Sequence, residues 1–292
     1  MTDDGYVTDD AHGDGWHLML GDSCERIGEL DPDSVDLSVF SPPFASLYTY
    51  SPSLRDLGNS FDRDEFFEHF GYVIRGLLTA TKPGRLACVH VQQLTTSKAA
   101  HGVIGATDFR GQTISAFQKD GWTYYGDITI DKDPQAQAIR TKAVCLMFVT
   151  LERDQAVLRP ALADYLLVFK KPGENKIPVR SDVDRDTWIK WARPVWYDIN
   201  ETDTLNVRVA RDDADERHIC PLQLPLIERC VRLWSNPGEL VFSPFAGIGS
   251  EGYVALRRGR RFAGIELKAS YWRTAVENLR AVTAQTALEV GA

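Results

Sequence analysis

Cysteine is scarce in this 292-residue chain: there are five, an odd number, spread over Cys24, Cys88, Cys145, Cys220 and Cys230. No CxxC pair occurs, so neither a disulfide framework nor a zinc site is indicated, and no metal is expected. A reducing cytoplasm fits that usage. Long apolar runs are missing as well, and no stretch approaches the roughly 18 residues a membrane helix needs. Residues 1–14 are acidic, which a signal or transit peptide is not. No internal repeat or low-complexity linker is present. Net positive charge is also lacking. The formal charge is −8, unfavourable for binding a polyanion through the surface as a whole.

The charge is uneven, however. Residues 1–40 carry eleven acids against Arg26 alone, whereas residues 132–193 carry twelve Lys/Arg against eight Asp/Glu. A local basic face therefore stays open to a polyanion. Hydrophobic residues make up 43% and charged residues 25%, an ordinary globular composition.

The chain is organised around Ser41-Pro42-Pro43-Phe44. The preceding run, residues 35–40, is short and apolar, as a buried parallel strand is. The prolines hold Ser41 and Pro42 extended at its carboxyl end, because proline fixes its own φ and keeps the residue before it out of the helical region. In open α/β sheets ligands bind at that edge. A hydroxyl, a backbone carbonyl and an aromatic ring there suit a planar base carrying an exocyclic amine.

Around this point the elements alternate. Residues 1–15 are polar and read as a frayed tail; strands follow at 16–20 and 35–40, with a short helix between them for which Asp22 or Ser23 is the cap. Residues 62–81 have apolar spacing of a helix, and 85–91 form a buried strand. An amphipathic piece at 112–119 and strands at 124–130 and 165–169 come next. Residues 134–152 are read as a helix begun by Pro134. Residues 174–215 are irregular apart from Trp188, Trp191, Trp196 and Tyr197, interleaved with Lys190 and Arg193. That cluster is a candidate contact for a polyanion. The last third alternates again: helix 222–234, strand 239–242, helix 253–258, strand 261–265 and a terminal helix over about 269–285. The order argues for an α/β fold with a mostly parallel sheet.

Residues 245–252, Phe-Ala-Gly-Ile-Gly-Ser-Glu-Gly, place GxGxxG between a strand and a helix. Glu266 ends the next strand, 19 residues after Gly247. Glycines allow close backbone approach to a ligand, the helix start offers free N–H groups, and a carboxylate at that place can accept both ribose hydroxyls. A nucleoside cofactor is indicated. NAD is one option, but dinucleotide folds put the glycine loop after their first strand. Here it lies near the end of the chain.

These motifs resemble the amino-methylating DNA methyltransferases, in the circularly permuted (β-class-like) group whose catalytic half precedes its cofactor half. Asp36 to Phe44 is similar to that family's catalytic (D/N/S)-P-P-(Y/F/W) strand and loop. His218 to Gln223 is similar to its H-P-x-Q segment, with an insertion. Residues 241–250 are similar to V-x-D-P-F-x-G-S-G-T, with Ser243 in place of the usual Asp, and 261–267 to R-x-x-x-G-x-E.

The resemblance implies a Rossmann-like fold and S-adenosylmethionine as cofactor, held by Asp22, Pro221, Gln223, Ser243, Phe245, Gly247, Gly249 and Glu266. It assigns catalysis to Ser41, Pro42, Pro43 and Phe44. Double-stranded DNA is the implied substrate, with the target base flipped out and stacked on Phe44. Ser41 at the first loop position points to the N4 amine of cytosine, with adenine N6 as the alternative. RNA or a small molecule as substrate, and an inactive binding module, are further alternatives. Carbon methylation is excluded, since it uses a Pro-Cys nucleophile and no Pro-Cys occurs. A homodimer and a paired restriction enzyme are compatible with the resemblance, and neither is specified by it. The expected organisation is a tail at 1–15, a catalytic half at 16–91, remaining strands plus target recognition at 92–215, and a cofactor half at 216–292.

Overall fold

A computed structural model describes residues 6–43, 57, 63–96, 102–141, 145–205 and 221–290. Its centre is β3 (Val35–Phe40), every residue of which is buried. Leu37 and Val39 enter the hydrophobic core on one side of the sheet, and Phe40 enters the core on the other. A strand covered on both faces is mostly apolar, and the two polar residues of this one, Asp36 and Ser38, are buried with the rest.

The main sheet is built from β1 (Asp9–Gly13), β2 (Trp16–Leu20), β3, β4 (Thr81–Gln92), β7 (Thr123–Ile130), β8 (Asp164–Lys170), β9 (Val195–Trp196), β10 (Leu240–Ser243) and β11 (Arg261–Glu266). These nine strands lie in the order β1-β2-β11-β10-β3-β4-β8-β7-β9. A separate pair, β5 (Leu94–Thr96) and β6 (Gly105–Thr107), is antiparallel. From β2 through β11, β10 and β3 to β4 all neighbours are parallel. Their carboxyl ends therefore share one edge. β8 runs antiparallel to β4 and β7 antiparallel to β8, so the start of β8 and the end of β7 reach that same edge.

On one face lie α2 (Arg63–Ala80) and α3 (Phe109–Lys119). Phe66, Phe70, Val73, Ile74 and Leu77 of α2 are fully buried there. At about 1.5–3 kcal/mol for each such side chain, packing rather than intrinsic propensity holds the helix. The other face carries α6 (Leu224–Trp234), α7 (Ser250–Arg257) and α8 (Ala269–Val290), through Leu226, Ile227, Val254, Ala275 and Leu279.

Several expectations are corrected. The expected tail at 1–15 contains β1, paired antiparallel with β2. Arg26 fastens it, donating to both carboxylate oxygens of Asp10 and to the Leu20 carbonyl. The helix expected to run to Thr81 stops at Ala80, and β4 begins at once, passing through Pro83-Gly84 instead of being separated by them. Gly84 has φ +73°, and a Cβ there would lie 2.5 Å from the Asn175 nitrogen, so glycine is required. The helix begun by Pro134, α4, ends at Thr141, and residues 148–150 form a separate short turn. Between 174 and 205 a helix, α5 (Arg185–Trp191), was missed; Asp184 caps it and it buries none of its residues, so no apolar period marks it.

Candidate active site at the carboxyl edge of the sheet

The carboxyl ends of four adjacent strands bring the predicted residues together. Register pairs Phe242 with Ser38, so Ser41 and Phe245 leave their strands side by side. Their neighbourhood is closed by an aromatic contact, with the Phe40 and Phe245 ring centroids 5.9 Å apart. Ser41 is half-buried, Pro42 buried and Pro43 half-buried. Phe44 lies outside the described residues, as do His218, Ile219 and Cys220.

The glycine loop is tied to the next strand end. Glu266 accepts from the Gly247 N–H through Oε2 and from the Lys268 N–H through Oε1, both at 2.8 Å. Gly247 has φ +53° and open space where a side chain would stand; Gly249, at φ +87°, precedes the first residue of α7 and would press a Cβ to 3.2 Å from that of Ala275. On either side of this cradle in the chain, Ser243 Oγ and Ser250 Oγ are buried with no hydrogen-bond partner among the described residues, and so is Gln223 Oε1 ahead of α6. Unpaired buried polar atoms around an open glycine turn fit a polar ligand that completes them. Pro221 is half-buried, and Gln223 precedes α6, its carbonyl accepting from Leu226 and Ile227.

Asp22 sits at the end of β2, beside Glu266: the Gly21 N–H donates to the Glu266 carbonyl at 2.9 Å. Its carboxylate caps α1 (Ser23–Arg26) by accepting from Cys24 N, while its own N–H donates to Tyr6 Oη. The cap expected of Asp22 or Ser23 is thus Asp22. Ser23 instead donates its hydroxyl to the Pro244 carbonyl, joining this strand end to the glycine loop.

Two groups were missed by sequence reasoning. Glu251, in the first turn of α7, is buried; burial pushes its carboxyl up to about 8, and the charge of Glu266 acts in the same direction. The second is a chain of side chains behind Ser41. His90 Nδ1 lies 3.3 Å from Ser41 Oγ and its Nε2 lies 3.0 Å from Asp164 Oδ2, where Lys132 Nζ also pairs at 2.9 Å. Only the position of His90 two residues before the end of a buried strand could have hinted at it.

The aromatic cluster divides. Trp196 is buried and donates its indole N–H to the Trp191 carbonyl, and Arg229 of α6 stacks over both rings. Trp188, Lys190, Arg193 and Tyr197 are exposed.

A model of the N6_N4_Mtase family, described as DNA methylase, matches residues 35–277. The chain belongs to this family. It is 37% identical over 288 residues to the DNA adenine methyltransferase YhdJ of Escherichia coli (strain K12), covering 94% of this chain and 85% of that protein. It is 31% identical over 117 residues to the type II methyltransferase M.BglI of Bacillus subtilis, a stretch that covers 40% of this chain and only 30% of M.BglI. Its fold resembles that of TTHA0409 from Thermus thermophilus, solved with S-adenosyl-L-methionine, with a TM-score of 0.69, 24% identity, and 90% and 93% of the two chains covered. The chain is accordingly a DNA methylase of the amino-methylating family. No helix among the described residues is long and apolar enough to cross a membrane.

Proposed function

We propose that this protein transfers the methyl group of S-adenosylmethionine to the N4 amine of cytosine in double-stranded DNA. The observation that carries the reading is the adjacency of Ser41-Pro42-Pro43, at the end of β3, to the loop after β10, with Phe40 against Phe245. Glu266, Gly247 and Gly249 hold the cofactor's nucleoside, and Asp22, Pro221, Gln223, Ser243 and Phe245 line its place. The cofactor supplies an electrophilic methyl on a sulfonium, so the chain's own task is positioning.

The amine of a conjugated base is a weak nucleophile, because its lone pair is delocalised into the ring. Ser41 Oγ and the Pro42 carbonyl accept its two N–H bonds and favour a pyramidal nitrogen aimed at the methyl. The base leaves the duplex, which costs a few kcal/mol, and stacks on Phe44. The catalytic half precedes the cofactor half in the chain, as in the permuted group. Lys190, Arg193, Trp188 and Tyr197 contact the duplex, and residues 92–215 carry target recognition.

A second reading, the N6 amine of adenine, is favoured by the identity to YhdJ, whose name specifies adenine. Methylation-sensitive sequencing of DNA from cells expressing the protein separates the two and also reads the target sequence. Modified cytosines in one sequence context support the first reading, modified adenines the second, and unmodified DNA opposes both.

A further inference from the structure

Behind Ser41 lies a buried set of ionisable groups that methyl-group positioning alone does not use. Among the described residues Ser41 Oγ has two neighbours, the His90 carbonyl at 3.2 Å and His90 Nδ1 at 3.3 Å. His90 Nε2 faces Asp164 Oδ2 at 3.0 Å. Asp164 is deeply buried; burial alone would raise its pKa, yet the hydrogen bond from His90 and the charge of Lys132 hold it down at about 2, so it is a carboxylate. A carboxylate only accepts, so Nε2 carries the proton and Nδ1 is left as an acceptor. Both neighbours of Ser41 Oγ are then acceptors. Its hydroxyl proton points at residue 90, and a lone pair is left for the substrate amine.

The charges around His90 decide what it can take up. Lys132 Nζ pairs with Asp164 at 2.9 Å and with Glu201 at 3.7 Å, its side chain 1% exposed. Two carboxylates thus face one ammonium. These groups come from four places: the end of β4, the start of β8, the segment after β7 and the segment after β9. Lys132 and Glu201 also line an open cleft with Asp131, Asp133 and Asn200, which connects the far end of the set to solvent.

We propose that His90 receives, through Ser41, the proton that methyl transfer releases; this rests on the amine-methylating reading above. The amine lone pair forms the N–C bond while the C–S bond breaks and its electrons stay on sulfur. The nitrogen passes one proton to Ser41 Oγ, whose own proton moves to His90 Nδ1. The imidazolium is held by Asp164 and returns its proton to solvent after the product leaves. His90 does not touch the substrate and is a positioning residue that acts through Ser41.

The test is single-turnover transfer from S-adenosylmethionine carrying a tritiated methyl to unmethylated genomic DNA, across pH, for wild type, His90→Asn, Ser41→Ala and the double variant. In wild type the rate falls on the acid side, since an acceptor that is already protonated takes up no second proton. His90→Asn keeps cofactor and DNA binding, slows transfer about 100-fold and loses the acid-side fall. In the Ser41→Ala background, His90→Asn adds little further loss, because the two act in series. A wild-type rate that is flat on the acid side overturns the proposal, even if His90→Asn does not fold. So does a His90→Asn effect that is undiminished without Ser41. Wild-type protein that transfers no methyl to DNA defeats the underlying reading, and this proposal with it.

Discussion

The Gly247 N–H donates to Glu266 Oε2 at 2.8 Å, although the two residues are 19 apart in sequence. One carboxylate thus ties the glycine loop to the end of β11. Glu266→Ala is expected to weaken S-adenosylmethionine binding by about 1.5–3 kcal/mol, the worth of a charged hydrogen bond. Calorimetry checks this, and unchanged affinity would remove Glu266 from the cofactor site.

Glu251 predicts an unusual pH dependence of stability. Its folded pKa is raised to about 8, so the folded state keeps a proton that the unfolded chain releases in the ordinary carboxylate range. Its stabilising contribution is complete below that range and is lost as pH rises towards 8. The limiting slope is about 1.4 kcal/mol per pH unit. Urea unfolding at a series of pH values should show that decline in wild type and a flatter profile in Glu251→Gln.

Asp36 holds the opposite edge of the sheet together. It is buried, pairs with Lys82 at 2.6 Å and Arg85 at 3.0 Å, and accepts from the Leu240 N–H at 2.9 Å. Asp36→Ala leaves the buried Arg85 guanidinium with Glu239 as its remaining carboxylate and the Leu240 N–H without its acceptor, and should cost about 1–3 kcal/mol. A urea midpoint close to wild type would show that water or a shifted side chain replaces the carboxylate.

Lys190 and Arg193 are exposed, whereas Trp196 of the same cluster is buried. Replacing both with Ala should weaken DNA binding and lower the slope of log affinity against log salt by about two. Fluorescence anisotropy over a salt series checks it; an unchanged slope would place the duplex elsewhere.

The parts of the fold legible in the sequence are those with one strong local cause. Four of the six residues of β3 are apolar because both its faces are covered, and α2 shows its buried stripe at helical spacing. The glycine loop and Glu266 announce themselves by spacing alone. β1 was illegible because only Ala11 is buried in it and its anchor is Arg26, in a different element. α5 was illegible because its stability comes from the Asp184 cap, with no buried face. The set behind Ser41 left only the place of His90 near a strand end as a hint, since His90 and Asp164 are 74 residues apart and meet through the antiparallel pairing of β4 with β8.

The central claim is that an exocyclic amine of a DNA base receives the methyl group. Purified protein incubated with isotope-labelled S-adenosylmethionine and unmethylated DNA, followed by digestion and nucleoside mass spectrometry, tests it most directly. The account predicts label in N4-methyl-2′-deoxycytidine. Label in N6-methyl-2′-deoxyadenosine alone would contradict the reading of Ser41 as a cytosine determinant, and label on cytosine carbon, or in no nucleoside, would contradict the account itself.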